Sequence, residues 1–166
     1  MKDCLILGTK TSCQYQHIFP LIKERKLYIG ITNPSTFLDK DGNEVPIITN
    51  WYNTLGVHKH KALNLSKTYN PEDYPTYDNY PYAINVDKLK DIPVDYDGVM
   101  GVPVSFLDGY YDGFEIVGVN NDSRTDDFKY LIKGTPISDV RGVPRFGFFV
   151  NGKLKYTRIL IIRKRL

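Results

Sequence analysis

Between Asp91 and Asp108 the chain sets Pro93, Gly98, Gly101 and Pro103 among short apolar runs: Asp91-Ile92-Pro93, then Asp95 to Pro103, then Ser105-Phe106-Leu107-Asp108. Each proline fixes its own φ and turns the residue before it away from helix. The glycines open backbone angles closed to other residues. A long helix is therefore excluded here, and a tight, non-regular path is expected. Pro103 suits the first turn of a short helix, Val104 to Leu107, ending near Asp108-Gly109. Phe114 to Gly118 then alternates as a strand. Taken plainly, this is a Pro/Gly-rich connection anchoring one short helix on a core; a loop of this kind can also line a pocket.

At 166 residues the chain is long enough for one domain, or one with a small appendage, and for a real core. No apolar run approaches the roughly 20 residues that cross a bilayer. The opening MKDCLILG lacks the basic region and cleavage pattern of a secretion signal. The cytoplasm is expected, with no membrane partner. Cys4 and Cys13 have no second pair and no His at ligand spacing, so neither a metal site nor a disulfide framework is expected; Cys4, in an apolar run, reads as a buried small hydrophobe. The net charge of +3 hides an asymmetry: from Arg141 onward there are eight basic residues and no acidic one, against 14 basic and 19 acidic before it. Arg141, Arg145, Lys153, Lys155 and Arg158 in this tail are candidate phosphate contacts, because such a face attracts nucleic acid through counterion release. The plainer reading is a solvated basic strand that guards a sheet edge.

Cys4 to Gly8 reads as a fully buried strand, and Leu27 to Ile31 as a second. Between them Tyr15, Ile18, Phe19 and Ile22 recur at helical spacing as far as Arg25, interrupted by Pro20, which predicts a kink or a late start. Strand, helix and strand make one βαβ unit. Asp39 to Glu44 is a hairpin-type turn from which Val45 to Tyr52 returns as a strand. His58-Lys59-His60-Lys61, beside Trp51 and Tyr52, suits a nucleic acid better than a core. Tyr69 to Tyr82, with five tyrosines and three prolines, is expected as an ordered, ring-packed loop. Asn120 to Asp127 is polar and exposed, with Arg124 its only cation. Asn151-Gly152 between Phe146–Val150 and Lys153–Ile162 predicts a two-residue type I′ hairpin. No Ser-His-Asp pattern or nucleophile elbow appears, which sets hydrolases aside.

The run from Tyr77 to Gly118, together with Ile6-Leu7-Gly8, the segment Gln16 to Arg25, Asn50-Trp51-Tyr52 and Asn151 to Leu160, resembles the EcoRI-type adenine-specific DNA methyltransferase family. The resemblance covers nearly the whole chain but only the carboxyl-terminal part of the family. It implies an α+β fold: a small mixed, partly methyltransferase-like sheet in residues 1–56 (a βαβ unit plus hairpin), then a β-rich, loop-rich target-recognition region in 57–166 ending in a hairpin. The two regions can pack as one domain. It also implies Trp51 and Tyr52 as contacts to the target base.

Asn33-Pro34-Ser35-Thr36-Phe37 is similar to the family's Asp/Asn-Pro-Pro-aromatic loop, but Ser35 replaces the second proline, an extra residue precedes Phe37, and the segment falls after that loop's place. A plain loop is expected. The Gly turn and acidic partner that hold S-adenosylmethionine in the family are not found. The resemblance thus implies no catalytic residue and no cofactor bound by this chain alone, with S-adenosylmethionine entering only if a partner chain completes the enzyme. The expected function is DNA modification within restriction-modification: the target-recognition part of an adenine-N6 methyltransferase, as half of a split enzyme or a truncated remnant, inactive alone. The expected partners are double-stranded DNA and a cofactor-binding half, or a second copy at an open sheet edge. The alternative is a non-catalytic DNA-binding or protein-interaction accessory, for which the 13 carboxylates between Asn70 and Tyr130 supply a docking charge.

Overall fold

A computed structural model of the chain describes residues 2–59, 62–109, 111–121, 127–138 and 144–164. His60, Lys61, Arg124 and Arg141, all weighed above as cations, lie outside them, and Arg145 enters only as a backbone position. The architecture is mixed and strand-rich, with few helices and several small sheets. It forms two units: Met1–Lys61 with Leu107–Tyr110, and Ala62–Phe106 with Tyr111–Leu166.

In the first unit the elements run β1 (Leu5–Thr9), a 3-10 turn (Lys10–Gln14), α1 (Phe19–Lys23), β2 (Tyr28–Ile29), β3 (Thr36–Leu38), β4 (Glu44–Pro46) and β5 (Thr49–Asn53). Pro20 lies in the first turn of α1, the place where its missing N–H costs nothing, so the helix expected from Gln16 starts only at Phe19. It ends at once. Arg25, at φ 60, takes the left-handed position after the cap, and the Lys26 and Arg25 amides donate back to the carbonyls of Leu21 (2.8 Å) and Ile22 (3.1 Å), a Schellman ending.

The sheet order is β1-β5-β2, with β5 antiparallel to both neighbours. The two strands of the expected βαβ unit are therefore parallel but not adjacent, because β5 stands between them. Phe19, Cys13, Leu27, Ile29 and Tyr52 form the interior of this unit. β1 departs from expectation. It is an edge strand with Leu5 59%, Ile6 54% and Leu7 37% exposed, and Cys4 is half-buried, because β5 is its one strand partner among the described residues. β3 and β4 form a separate ribbon. Its turn is held by the Asp39 carboxylate, which accepts from the amides of Asp41 (2.8 Å) and Asn43 (2.9 Å). The strand expected from Val45 to Tyr52 is interrupted after Pro46, and Ile47 and Ile48 link β4 to β5.

The second unit contains β6 (Thr76–Tyr77), β7 (Tyr80–Asn85), β8 (Val99–Pro103), β9 (Phe114–Asn120), β10 (Ile137–Ser138), β11 (Pro144–Arg145), β12 (Phe149–Val150), β13 (Lys153–Leu154) and β14 (Arg158–Arg163). Its five-stranded sheet has the order β6-β7-β8-β14-β9, with β7 and β8 parallel and the other pairs antiparallel. Ile159, Leu160 and Ile161 of β14 are fully buried between β8 and β9. Such an apolar run is what a strand buried on both faces requires.

Two expectations about this region are corrected. Val99 to Pro103 is regular strand rather than an irregular path, and neither Gly98 nor Gly101 takes a positive φ. Gly101 is needed for space: a Cβ there would stand 2.0 Å from the Tyr77 hydroxyl, which donates to the Gly101 carbonyl and to Asn85 Oδ1 at 3.2 Å each. The 3-10 turn Val104–Asp108 follows directly. Secondly, the chain does not end in a hairpin. Asn151 (φ 50) and Gly152 (φ 73) have the two positive φ angles of a type I′ turn, but the hairpin closes only β12 on β13 before the chain leaves for β14, an interior strand.

Candidate nucleic-acid interface

In the first unit, the loop after β5 is built on Asn53, 1% exposed. Its side-chain carbonyl accepts from the amides of Leu55 (3.0 Å) and Val57 (3.1 Å), and its amide donates to the carbonyls of Val57 (2.7 Å) and Tyr28 (3.3 Å). Gly56 turns the chain inside that loop at φ 77, delivering His58 and Lys59. The His58 Nδ1–H donates to the Gly56 carbonyl at 2.7 Å, and its ring stacks on Tyr28 with centroids 5.3 Å apart. The Lys59 ammonium donates to Asn33 Oδ1 at 3.0 Å, and the Asn33 amide donates on to Asn50 Oδ1. Thus Asn33, from the segment that resembles a catalytic loop, is tied to Lys59 and to β5.

Trp51 and Tyr52 point to opposite faces of β5. Trp51 is half-buried and lies opposite Leu7 in register. Tyr52 is 4% exposed and its hydroxyl donates to the Thr9 carbonyl at 2.9 Å, so it is withdrawn from the surface and serves as a buttress for β1. Burial, with the neighbouring Cys13, lifts its pKa above the ordinary tyrosine value.

In the second unit Lys155 and Arg158 converge on one carboxylate. Arg158 Nη2 lies 2.8 Å from Asp87 Oδ1, Arg158 Nε donates to Asn85 Oδ1 at 3.1 Å, and Lys155 Nζ is 3.1 Å from Asp87 Oδ2. The Arg158 side chain is only 7% exposed, whereas that of Asp87 is 56% exposed. Burial disfavours the Asp87 anion, but hydrogen bonds from Asn85 and Lys155 and the charges of Lys155 and Arg158 outweigh it, holding the carboxyl below its ordinary range. Asn85, Asp87 and Lys155 of this cluster line a cleft of about 730 Å³ together with Lys67, Asp73 and Tyr74.

Lys153, on the exposed β13, is placed differently: its side chain is solvent-facing at the Asn151-Gly152 hairpin, whose turn amides donate to the Asp78 carboxylate at 3.1 and 2.8 Å. Sequence reasoning passes over Tyr156, 92% exposed between Lys155 and Arg158. Its signal was an aromatic ring flanked by cations in the basic tail. It also passes over Asp87 and the buried asparagines. Asn79 donates to the carbonyls of Thr135 and Gly147 at 3.1 and 2.9 Å, and Asn120 to those of Ile132 and Phe146 at 2.7 and 3.0 Å, so each pins two loops to the sheet. Among the described residues no group of three or more His, Cys, Asp or Glu is arranged to hold a metal, and no helix is long and apolar enough to cross a membrane.

Comparison with known proteins places the chain in a family. The family model described as "Adenine-specific methyltransferase EcoRI" matches residues 1–164, and the chain belongs to that family. It is 36% identical to the type II methyltransferase M.EcoRI of Escherichia coli over 187 aligned positions, covering 99% of this chain and 51% of that protein. It is 33% identical to M.MgeORF184P of Mycoplasma genitalium, over 99% of this chain and 58% of the relative, and 31% identical to M.MpnI of Mycoplasma pneumoniae, over 99% and 57%. The chain thus spans between half and three-fifths of the length of these relatives. No solved structure matches it.

Members of such a family use S-adenosylmethionine, and the residues at the end of β1 do not fit it. The space beside Gly8, where a glycine would leave room for a cofactor, is occupied by the Tyr52 ring, whose carbon lies 3.1 Å from the position of an added Cβ. The chain then enters the 3-10 turn Lys10–Gln14, with Cys13 buried beneath it. No transfer step is assigned to these residues.

Proposed function

We infer that this chain is the target-recognition part of an adenine-N6 DNA methyltransferase, acting on double-stranded DNA in the cytoplasm together with a portion that carries S-adenosylmethionine and the catalytic loop. The observation that carries this reading is the family match over residues 1–164 by a chain that spans only 51% of the E. coli relative. The Tyr52-filled space beside Gly8 agrees with a cofactor held elsewhere. In this reading the residues before about 56 complete the sheet of the catalytic portion, and those after it read DNA.

The contacts fall into two sets. Trp51, His58 and Lys59, with His60 and Lys61 next in sequence, offer a ring and cations at the loop after β5. Lys153 and Tyr156, with Arg141 and Arg145 earlier in the basic tail, offer phosphate and stacking contacts. Arg158, Lys155 and Tyr52 hold these segments in place. Duplex binding followed by fluorescence anisotropy at rising salt tests the reading. Affinity falling steeply with salt is expected, since each phosphate neutralised releases counterions; flat or absent binding overturns it.

A further inference from the structure

Arg158 is a buried cation whose carboxylate partner is not buried. Its side chain is 7% exposed and that of Asp87 is 56% exposed, although the two meet at 2.8 Å. Neutralising the guanidinium needs no exposed oxygen. The arrangement instead runs outward from the core. Tyr77, 1% exposed, donates through its hydroxyl to Asn85 Oδ1 at 3.2 Å. Asn85, 4% exposed, accepts on the same atom from Arg158 Nε at 3.1 Å, and Arg158 Nη2 donates on to Asp87 Oδ1. These residues come from β6, β7 and β14, so three strands of one sheet fix the orientation of one exposed carboxylate. Lys155 Nζ completes the frame, 3.2 Å from Oδ1 and 3.1 Å from Oδ2.

The other carboxylates of the same cleft are held differently. Asp91 pairs at 3.0 Å with Lys67, whose side chain is 57% exposed, and Asp73 accepts from Asn70 Nδ2 at 3.3 Å on an exposed turn. Asp87 is thus an acceptor oriented from beneath and open to a cleft of about 730 Å³, with its carboxyl ionised at neutral pH. Beside it in sequence and space is the basic tail, with Tyr156 92% exposed. A carboxylate there repels phosphate oxygens; what it can accept from on a duplex are the exocyclic amines of the major-groove edge. Adenine sets its N7, an acceptor, beside its amine, whereas cytosine carries no acceptor on its own edge. We propose that Asp87 reads cytosine: its carboxylate accepts a hydrogen bond from the N4 amine of one C·G pair in the recognised duplex, with Lys155 donating to O6 of the paired guanine. This rests on the target-recognition reading above and names one base pair that it reads.

The test is selection of random duplexes by the whole chain and by Asp87→Ala, followed by sequencing and by fluorescence anisotropy on the selected site. The parent is expected to fix one C·G pair at which Asp87→Ala accepts other pairs while keeping every other preference. Replacing that cytosine by 2-pyrimidinone, which lacks the N4 amine, is expected to weaken the parent at least about 5-fold and the variant less than about 2-fold. A merely structural Asp87 gives a different pattern, equal weakening on every duplex, and that result overturns the proposal. So does a uniform rise in affinity in Asp87→Ala, which makes the carboxylate a repeller of phosphate, and so does relaxation confined to an A·T pair. Each of these leaves the functional reading standing. A parent that selects no site overturns that reading, and the proposal with it. If Asp87→Ala does not fold, the pair Asp87→Ala with Arg158→Met, which buries no unpaired charge, takes its place with the same expected outcomes.

Discussion

Removing Asp87 isolates what holds the basic tail in place. In Asp87→Ala the Arg158 guanidinium, on a side chain 7% exposed, loses its only carboxylate contact among the described ion pairs and keeps Asn85 Oδ1 and the Tyr156 carbonyl. Lys155 loses the same partner but, on a side chain 24% exposed, can turn to water. Breaking a fully buried pair costs about 3–5 kcal/mol and each charge-assisted hydrogen bond about 1.5–3. Because the Asp87 side chain is 56% exposed, screening lowers the loss, and about 2–4 kcal/mol is expected. For a chain of this size melting as one, that is a fall of roughly 6–12 °C in Tm. The check is a thermal melt by circular dichroism for Asp87→Ala, Arg158→Met and the double variant. The two losses are expected to be strongly non-additive, because the double variant buries no unpaired charge. The sign with pH follows from the depressed carboxyl: its contribution is present above the ordinary value of 3.8 and disappears as pH falls through the lower folded value, so parent and variant converge in acid. An Asp87→Ala melt within about 1 °C of the parent at neutral pH, against the roughly 6–12 °C expected, would refute the reasoning.

Gly101→Ala drives a methyl to 2.0 Å from the Tyr77 hydroxyl and is expected to cost at least about 3 kcal/mol in urea unfolding. Adding Tyr77→Phe relieves this only in part, since a ring carbon still stands 2.8 Å away; full rescue would contradict the packing described. Lys59→Ala and Lys153→Ala are each expected to reduce the salt slope of duplex binding by about 1, while Arg158→Met loses stability instead; equal slopes in all three would remove the phosphate assignments. Cys13, whose thiol is pushed up to about 12 by burial and the nearby Asp108, is expected to resist iodoacetamide at pH 8 in the folded chain and to react only on unfolding, as read by mass spectrometry.

The elements legible in sequence are those set by neighbours along the chain. Asn151-Gly152 specifies its turn through two positive φ angles, and Pro20 sets the start of α1, because both constraints act within a few residues. The reason for Gly101 was legible only in part. A glycine demanded by another residue's side chain looks the same in sequence as one demanded by a left-handed φ, and Tyr77 is 24 positions away. Distance hid the site in the same way. Arg158 and Lys155 read as free cations because their shared partner, Asp87, lies 71 and 68 residues earlier, in a stretch whose other carboxylates read as solvated. Similarly, nothing local distinguishes Tyr52, a buttress under β1, from Trp51 beside it. Their alternation across a strand becomes a difference in burial only once one face is covered.

β1 is the opposite case, in which the sequence asks for more than the chain supplies. The consecutive apolar run Ile159 to Ile161 of β14 is fully covered by its own unit. Leu5 to Leu7 is not: Leu5 is 59%, Ile6 54% and Leu7 37% exposed, so each forgoes roughly half of the about 1.5–3 kcal/mol that full burial of such a side chain supplies. A chain that folds its second unit around a buried Arg158 with its charge matched has not left that surface bare for want of specificity. In β1 the apolar pattern and the observed burial therefore disagree, at a strand whose one described strand partner is β5.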